Sequence, residues 1–204
     1  MSLTIECAGV SDLRHALALY REAVAWLASQ GVDQWQSMDG FEGRIGADIE
    51  SGVIWIIRGG KPESRRITAM IKLDSRADPE FWRLEDDPDD ALYAHRMVVT
   101  RSDSGTGIGS AMLDWASRRA AAAGKRWLRL DAWASNTKLH DYYLSEQFKM
   151  VRLLQFPHRG SGALFQRPAG IELGRGPQLV SSSTGPHLRS RTDPRGHGVE
   201  QHSP

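Results

Sequence analysis

His95-Arg96-Met97-Val98-Val99-Thr100-Arg101-Ser102-Asp103-Ser104-Gly105-Thr106-Gly107-Ile108-Gly109-Ser110 passes from an alternating run into three glycines at every second position. Residues 91–100 alternate as a strand does. From Ile108 a helix runs with Met112, Trp115 and Ala116 inward, Arg118 and Arg119 near its C-terminal end and Gly124 as its stop. The glycine loop therefore joins a strand to a helix, where its backbone N–H groups can converge on an anion at the positive end of the helix dipole. A phosphate-bearing ligand is implied. A flexible turn is the plainer alternative, but three alternate glycines opening an amphipathic helix favour a ligand site.

Outward from this loop the order is mixed α/β. Residues 3–8 alternate weakly, and Ser11 and Asp12 stand where a helix wants a cap and a negative first turn. Leu13, Ala16, Leu17, Tyr20, Val24 and Leu27 then recur at helical steps until Gly31. Residues 41–50 form a weaker helical stretch. Residues 53–57 and 67–73 are β-rich and flank Gly59-Gly60-Lys61-Pro62, so a hairpin is predicted. Residues 74–90 read as a loop with a short helical turn at Phe81, Trp82 and Leu84. Downstream, 127–133 is predicted as a strand, 136–147 as a helix, and 150–156 and 163–166 as strands about the Arg159-Gly160-Ser161-Gly162 turn.

The chain has 204 residues, enough for one sizeable core, and residues 1–167 are predicted as one domain. Residues 168–204 are rich in Gly, Pro, Ser and Arg, with Arg175, Arg189, Arg191 and Arg195 making them basic. Their apolar content is too low to offset the entropy of ordering, and they read as a disordered tail. Lys plus Arg number 26 against 25 Asp plus Glu, so no long-range field draws nucleic acid or an anionic membrane, and any anion site must be local. Neither a specific nucleic-acid partner nor a membrane is expected. Cys7 is the only cysteine, which excludes an internal disulfide and a paired-cysteine metal site; no metal is expected. With no export signal and no apolar run of roughly 18 residues, the cytoplasm fits best.

Two rival readings of the loop fall to spacing. A dinucleotide-binding GxGxxG frame starting at Gly105 meets Ser110 at its third glycine, and one starting at Gly107 meets Met112. The loop also comes about a hundred residues in, with no run of strand and helix repeats behind it. A Walker loop needs Gly-Lys-Ser or Gly-Lys-Thr, and neither occurs.

The segment 91–148 resembles the GNAT superfamily of N-acetyltransferases. The likeness lies in His95-Arg96-Met97-Val98-Val99, the glycine loop, Leu128-Arg129-Leu130-Asp131-Ala132-Trp133 and residues 136–148. The family's loop signature falls on Ser104, Gly107 and Gly109, with Ser104 where the family has Arg or Gln. Its second signature falls on Asn136, Tyr143, Gln147 and Phe148, with Gln147 in place of a glycine. The resemblance implies a three-layer α/β (α+β mixed) fold whose mostly antiparallel central sheet is splayed at the cofactor site, with helices on both faces. It implies acetyl-CoA as co-substrate. The pantetheine arm would run beside Met97, Val98 and Val99, and the pyrophosphate would sit over Ser104, Gly105, Thr106, Gly107, Ile108, Gly109 and Ser110.

By spacing, Asn136, His140 and Tyr143 share one helix face, with Asn136 and Tyr143 about 10 Å apart along the axis. Direct attack by an amine on a thioester needs a base, an oxyanion donor and an acid for the departing thiolate. The family spacing makes Tyr143 the acid, with neighbouring Tyr142 as the substitute, and gives the oxyanion to backbone N–H groups around Val98 and Val99. His95 is the leading base, because histidine changes charge near neutral pH and strand alternation puts His95 on the face of Met97 and Val99. Asp131 and Glu50 are weaker choices. Asn136 is expected to bond the pantetheine arm or a water, a role that can coexist with capping its helix. Trp35, within the segment 26–38, is expected to line the acceptor pocket or else to plug the core. The acceptor is a small-molecule or peptide amine, and a homodimer is compatible with the chain. The competing class of function is a non-catalytic acyl-CoA sensor, motivated by Ser104 and Gln147.

Overall fold

The computed structural model describes residues 2–35, 40–59 and 66–182. Its strands are β1 (Ser2–Cys7), β2 (Ile54–Arg58), β3 (Ile67–Asp74), β4 (Ala91–Val99), β5 (Trp127–Trp133), β6 (Lys149–Leu153), β7 (Ser161–Pro168) and β8 (Gln178–Ser181). Its α-helices are α1 (Leu13–Ser29), α2 (Phe41–Glu50), α3 (Ile108–Ala122) and α4 (Thr137–Ser145). The strands form one sheet in the order β6-β7-β5-β4-β3-β2-β1-β8. It is antiparallel except at β4–β5 and β1–β8, as the mixed, mostly antiparallel expectation requires. The predicted 53–73 hairpin is β2–β3, although residues 60–62 of its turn lie outside the described residues.

Helices cover both faces. On one, α1 and α2 set Ala16, Leu17, Tyr20, Phe41, Ile45 and Ile49 against Ile54, Ile56, Met70 and Val98. On the other, α3 sets Met112, Leu113, Trp115 and Ala116 against Trp55, Ile57, Leu92, Leu130 and Phe165. The 74–90 segment ends in two 3-10 turns, Leu84–Asp86 and Pro88–Asp90, and buries Phe81 and Trp82 against Tyr93 and Leu164. Burial of this kind, at about 1.5–3 kcal/mol per large apolar side chain, drives the sandwich together. Among the described residues no helix is long and apolar enough to cross a membrane.

Three expectations need correction. Residues 168–182 are not tail. Pro168 ends β7, and β8 lies parallel to β1 with Leu3 opposite Leu179. Leu179 is buried, its carbonyl accepts from Arg118 at 3.1 Å, and Trp115 donates its indole N–H to Ser181 at 2.9 Å. Pairing with a distant edge strand supplies the contacts that local composition lacks. Residues 183–204, with Arg189, Arg191 and Arg195, lie outside the described residues. The last helix is shorter than 136–147, because Asn136 is its N-cap and the chain leaves helical geometry at Gln147 (φ 61°). Its N–H bonds Leu144 O at 3.1 Å and that of Phe148 bonds Tyr143 O at 3.0 Å, a Schellman turn closed without the expected glycine. Ser161 and Gly162 lie inside β7, and the turn before them is closed by the Phe156–Arg159 bridge.

Candidate active site

The parallel pair β4–β5 runs in register only from Ala91–Trp127 to Ala94–Leu130. Past that point β4 stays paired with β3 through Val98 and Val99, while β5 stays paired with β7 as far as Trp133. The gap between them is the floor of a cavity of about 990 Å³, within the range of cofactor and substrate pockets. Its walls include Met97, Val98, Val99, Leu130, Ala132 and Tyr143. Beyond Ala94 the β5-facing edge of β4 has no ladder partner among the described residues, so its backbone groups face the cavity.

The splay starts at a bulge. Met70 faces Val98 and Lys72 faces His95, so Arg96 and Met97 stand opposite the single residue Ile71. Arg96 takes φ 49°, a left-handed conformation uncommon outside glycine. One extra residue inverts the alternation. His95 stacks beside Tyr93, Met97 and Val99 pack toward the α3 face, and Val98 joins the α1–α2 core. The expectation that His95 shares a face with Met97 and Val99 is therefore wrong, because period-two reasoning fails across a bulge.

His95 sits between carboxylates. Its Nδ1 is 3.3 Å from Asp131 Oδ1 and its Nε2 is 3.8 Å from Asp74 Oδ1. Burial works against charge on Asp131, but hydrogen bonds from His95 and Ser161 and the charge of Arg159 hold its carboxyl below the ordinary value. Glu50 does not line the cavity, whereas His95 and Asp131 both do.

On the α4 side, Tyr143 is 7% exposed and packs on Phe148 and Phe165. Burial first, and the charge of Asp131 second, push its phenol well above the usual tyrosine value. Tyr142, also lining the cavity, is raised by burial first and by Glu146 second. Its hydroxyl lies where a side chain on Gly109 would need to be, 2.7 Å from an added Cβ. Asn136 Oδ1 accepts from Leu139 N–H at 3.1 Å, which makes it the cap, and its Nδ2 donates to Gln34 at 3.0 Å. His140 bonds the Trp133 carbonyl at 2.8 Å, fastening α4 to the end of β5.

The glycine loop continues from the β4 wall. After a 3-10 turn at Arg101–Asp103, Gly105 and Gly107 both take φ 80°, which only glycine adopts cheaply. The first bond of α3 runs from Ala111 N–H to Gly107 O, leaving the N–H groups of Ile108, Gly109 and Ser110 without intrahelical partners at the positive end of the helix. Ser104 accepts from the Arg101 guanidinium at 3.3 Å, and that guanidinium lies 3.9 Å over the Trp26 ring. A base thus stands beside the position where the loop signature lacks one. The Ser110 hydroxyl points away, donating to Glu146 at 2.8 Å in a buried network with Arg167 and Asp114, so only its backbone faces the loop.

Trp35 lines the cavity and packs 4.6 Å from Tyr20, in a left-handed conformation (φ 65°). Neighbouring Asp33 and Gln34 bridge the opening to Trp133 and Asn136. Gln36 to Met38, which end the segment 26–38, lie outside the described residues. Sequence reasoning did not single out Arg44 on α2, Lys72 on β3 or Arg96 on β4, which all line the cavity. The one local signal was the Lys72–Asp74 pairing of charges on a strand, which also fits a solvated edge.

No family model matches the chain. An uncharacterised N-acetyltransferase of Bacillus subtilis, YesJ, is 26% identical over 136 residues, covering 65% of this chain and 73% of the relative. An acetyltransferase of the GNAT family from Listeria monocytogenes superposes with a TM-score of 0.65 at 21% identity, over 80% of this chain and 93% of its own. A GNAT superfamily phosphinothricin acetyltransferase from Sinorhizobium meliloti, solved in complex with acetyl-CoA, does so with a TM-score of 0.58 at 20% identity, over 87% and 94%. The parted β4–β5 pair and the glycine loop at the head of α3 thus belong to a fold that this chain shares with these solved acetyltransferases of the GNAT family.

Proposed function

We propose that the chain transfers an acetyl group from acetyl-CoA to a primary amine by direct attack in a ternary complex. The observation that carries this reading is the gap between β4 and β5, headed by the open N–H groups of α3. It fits a long ligand with an anionic end: apolar Met97, Val99, Leu130 and Ala132 line the gap, and the N–H groups of 108–110 with Arg101 stand at its anionic end.

The residues divide the work as follows. The amine nitrogen bonds the thioester carbonyl carbon, the carbon–sulfur bond breaks, and one proton must leave the nitrogen while one reaches the sulfur. His95, oriented by Asp131, takes the proton from the amine. Backbone N–H groups about Val98 and Val99 receive the oxyanion. Tyr143 gives its proton to the departing thiolate; its raised pKa keeps it protonated at neutral pH. Asn136 fixes the start of α4 and, through Gln34, the loop that carries Trp35.

Thiol release from acetyl-CoA, measured on a panel of amino acids, amines, polyamines and peptides, tests this. Turnover with one acceptor class supports it. Tight acetyl-CoA binding with no turnover on any class favours a non-catalytic acyl-CoA sensor.

A further inference from the structure

Residues 170–176 run back along one stripe of α3, from its last turn to its first. Gly170 donates its N–H to Ser117 O at 3.1 Å, and Glu172 pairs with Arg118. Leu173 and Gly174 both donate their N–H groups to one oxygen of Asp114, each at 2.9 Å. Gly176 then reaches the head of the helix, where an added Cβ would stand 3.1 Å from Ala111 Cβ and 2.1 Å from Gly107 O. Gly107, Ala111, Asp114 and Arg118 recur at three- and four-residue steps, so a single face of α3 carries the whole contact.

The contact at the loop is reciprocal. A Cβ on Gly107 would stand 2.5 Å from Arg175 O, and one on Gly176 would meet the Gly107 carbonyl, so two glycine backbones lie together with no room for a side chain between them. The Gly107 carbonyl also accepts the first bond of α3, from Ala111 N–H at 2.9 Å. Whatever holds that carbonyl holds the first turn, and with it the direction of the N–H groups of 108–110. The segment is itself anchored from behind. Asp114, 4% exposed, also accepts from Arg167 at 3.2 Å, and the fully buried Arg167 donates to Glu146 O, at the end of α4, at 3.0 Å. Arg175 makes a second tie to that helix end, donating to Ser145 O at 2.9 Å. A buried ion pair is a costly way to gain stability, and specifying one geometry is a use that such pairs serve.

From this arrangement we infer that residues 170–176 are a strap that sets the glycine loop for the donor, with Gly176 and Asp114 as positioning residues. Each acts through Gly107 and the first turn of α3 rather than on the ligand. Holding free N–H groups in one arrangement costs entropy, and a support that orders them beforehand leaves less of that cost to the binding step. The inference rests on the acetyl-transfer reading above for the identity of the donor, and on the contacts alone for the strap.

Two measurements on the full chain test it. In the ligand-free protein, amide hydrogen exchange is followed by NMR at Ala111 and Met112, near the head of α3, and at Ala116 and Ala120 farther along. Calorimetry then gives the acetyl-CoA Kd, and thiol release gives kcat and KM. Gly176 lies outside the left-handed region, so alanine there brings the clash without backbone strain. Gly176→Ala is expected to speed exchange at Ala111 and Met112 about tenfold and to leave Ala116 and Ala120 as in the parent. It should raise the acetyl-CoA Kd and KM about tenfold with kcat held. Arg175→Gln alters an exposed side chain, and is expected to give the same pattern at about threefold. It decides the question should Gly176→Ala not fold. Exchange at Ala111 like that of the parent in the folded variants overturns the strap. So does a rise spread equally over all four amides, which marks a general loss of stability. Faster exchange with an unchanged Kd overturns the link to the donor. If the parent binds no acetyl-CoA, the donor reading fails, and the exchange measurement alone decides the strap.

Discussion

The two sides of the β4–β5 gap are built differently. The proposed donor side is contiguous: one strand, one loop and the first turn of α3, within residues 97–110. The proposed acceptor side is assembled from α1, α2, β3, β4, β5 and the loop after α1, where Tyr20, Trp35, Phe41, Arg44, Lys72, His95 and Asp131 line the cavity. A ligand common to many proteins can be met by a local backbone motif, because N–H groups and glycine conformations recognise phosphate without side chains. A ligand specific to one protein must be met by side chains, and those converge only in the folded state.

The sharpest way to break the donor side is at Gly107. With φ 80°, and an added Cβ only 2.5 Å from the Arg175 carbonyl oxygen, Gly107→Val meets both backbone strain and a backbone clash. It should lower acetyl-CoA affinity at least about 100-fold and stability by roughly 3 kcal/mol, read by calorimetry and urea unfolding. Gly105→Ala, with the same φ but open space around it, should lose much less.

The chemistry at the meeting point of the two sides comes next. Tyr143→Phe should lower kcat about 100-fold with acetyl-CoA affinity preserved, and Tyr142→Phe far less; the reverse order would assign the acid to Tyr142. Because burial raises the Tyr143 pKa above its ordinary value near 10, the phenol stays protonated through alkaline pH. Log kcat should therefore hold its plateau up to about pH 10, and a fall there that Tyr143→Phe abolishes would contradict the assignment. Asp131→Asn retains a hydrogen-bonding group for His95 but removes the charge. A drop of about tenfold in kcat at unchanged KM for acetyl-CoA is expected, with His95→Gln and the double variant no worse than His95→Gln alone. Additive losses would mean that Asp131 acts without His95.

How much of this was legible follows the same division. The glycine loop, the strand before it and the helix after it announce themselves in residues 91–124, since each is set by local periodicity and glycine conformation. Trp35, read as lining a pocket or else plugging the core, both borders the cavity and packs on the α1–α2 core. What failed was non-local. A single bulge at Arg96 moved His95 off the face of Met97 and Val99, and nothing in a strand's own residues marks where an extra one will be accommodated. The strand β8 was hidden because four residues gain their order from β1 and α3, far away in sequence. Arg44 and Arg96, which both line the cavity, were invisible because they stand far apart in sequence, on a helix and at a bulge.

The smallest effect sharpens the boundary of the motif itself. Gln147 closes α4 in the left-handed conformation that the family signature gives to glycine. Gln147→Gly should relieve that strain and stabilise the fold by about 1 kcal/mol in urea unfolding, with no change in kcat. A change in turnover would show that the side chain serves the site.

The most direct measurement of the central claim is a calorimetric titration of the protein with acetyl-CoA, with CoA as competitor and NAD in a parallel cell. One saturable site for acetyl-CoA is expected, displaced by CoA and lost in Gly107→Val, with no heat from NAD. Binding of NAD without binding of acetyl-CoA or CoA would contradict it.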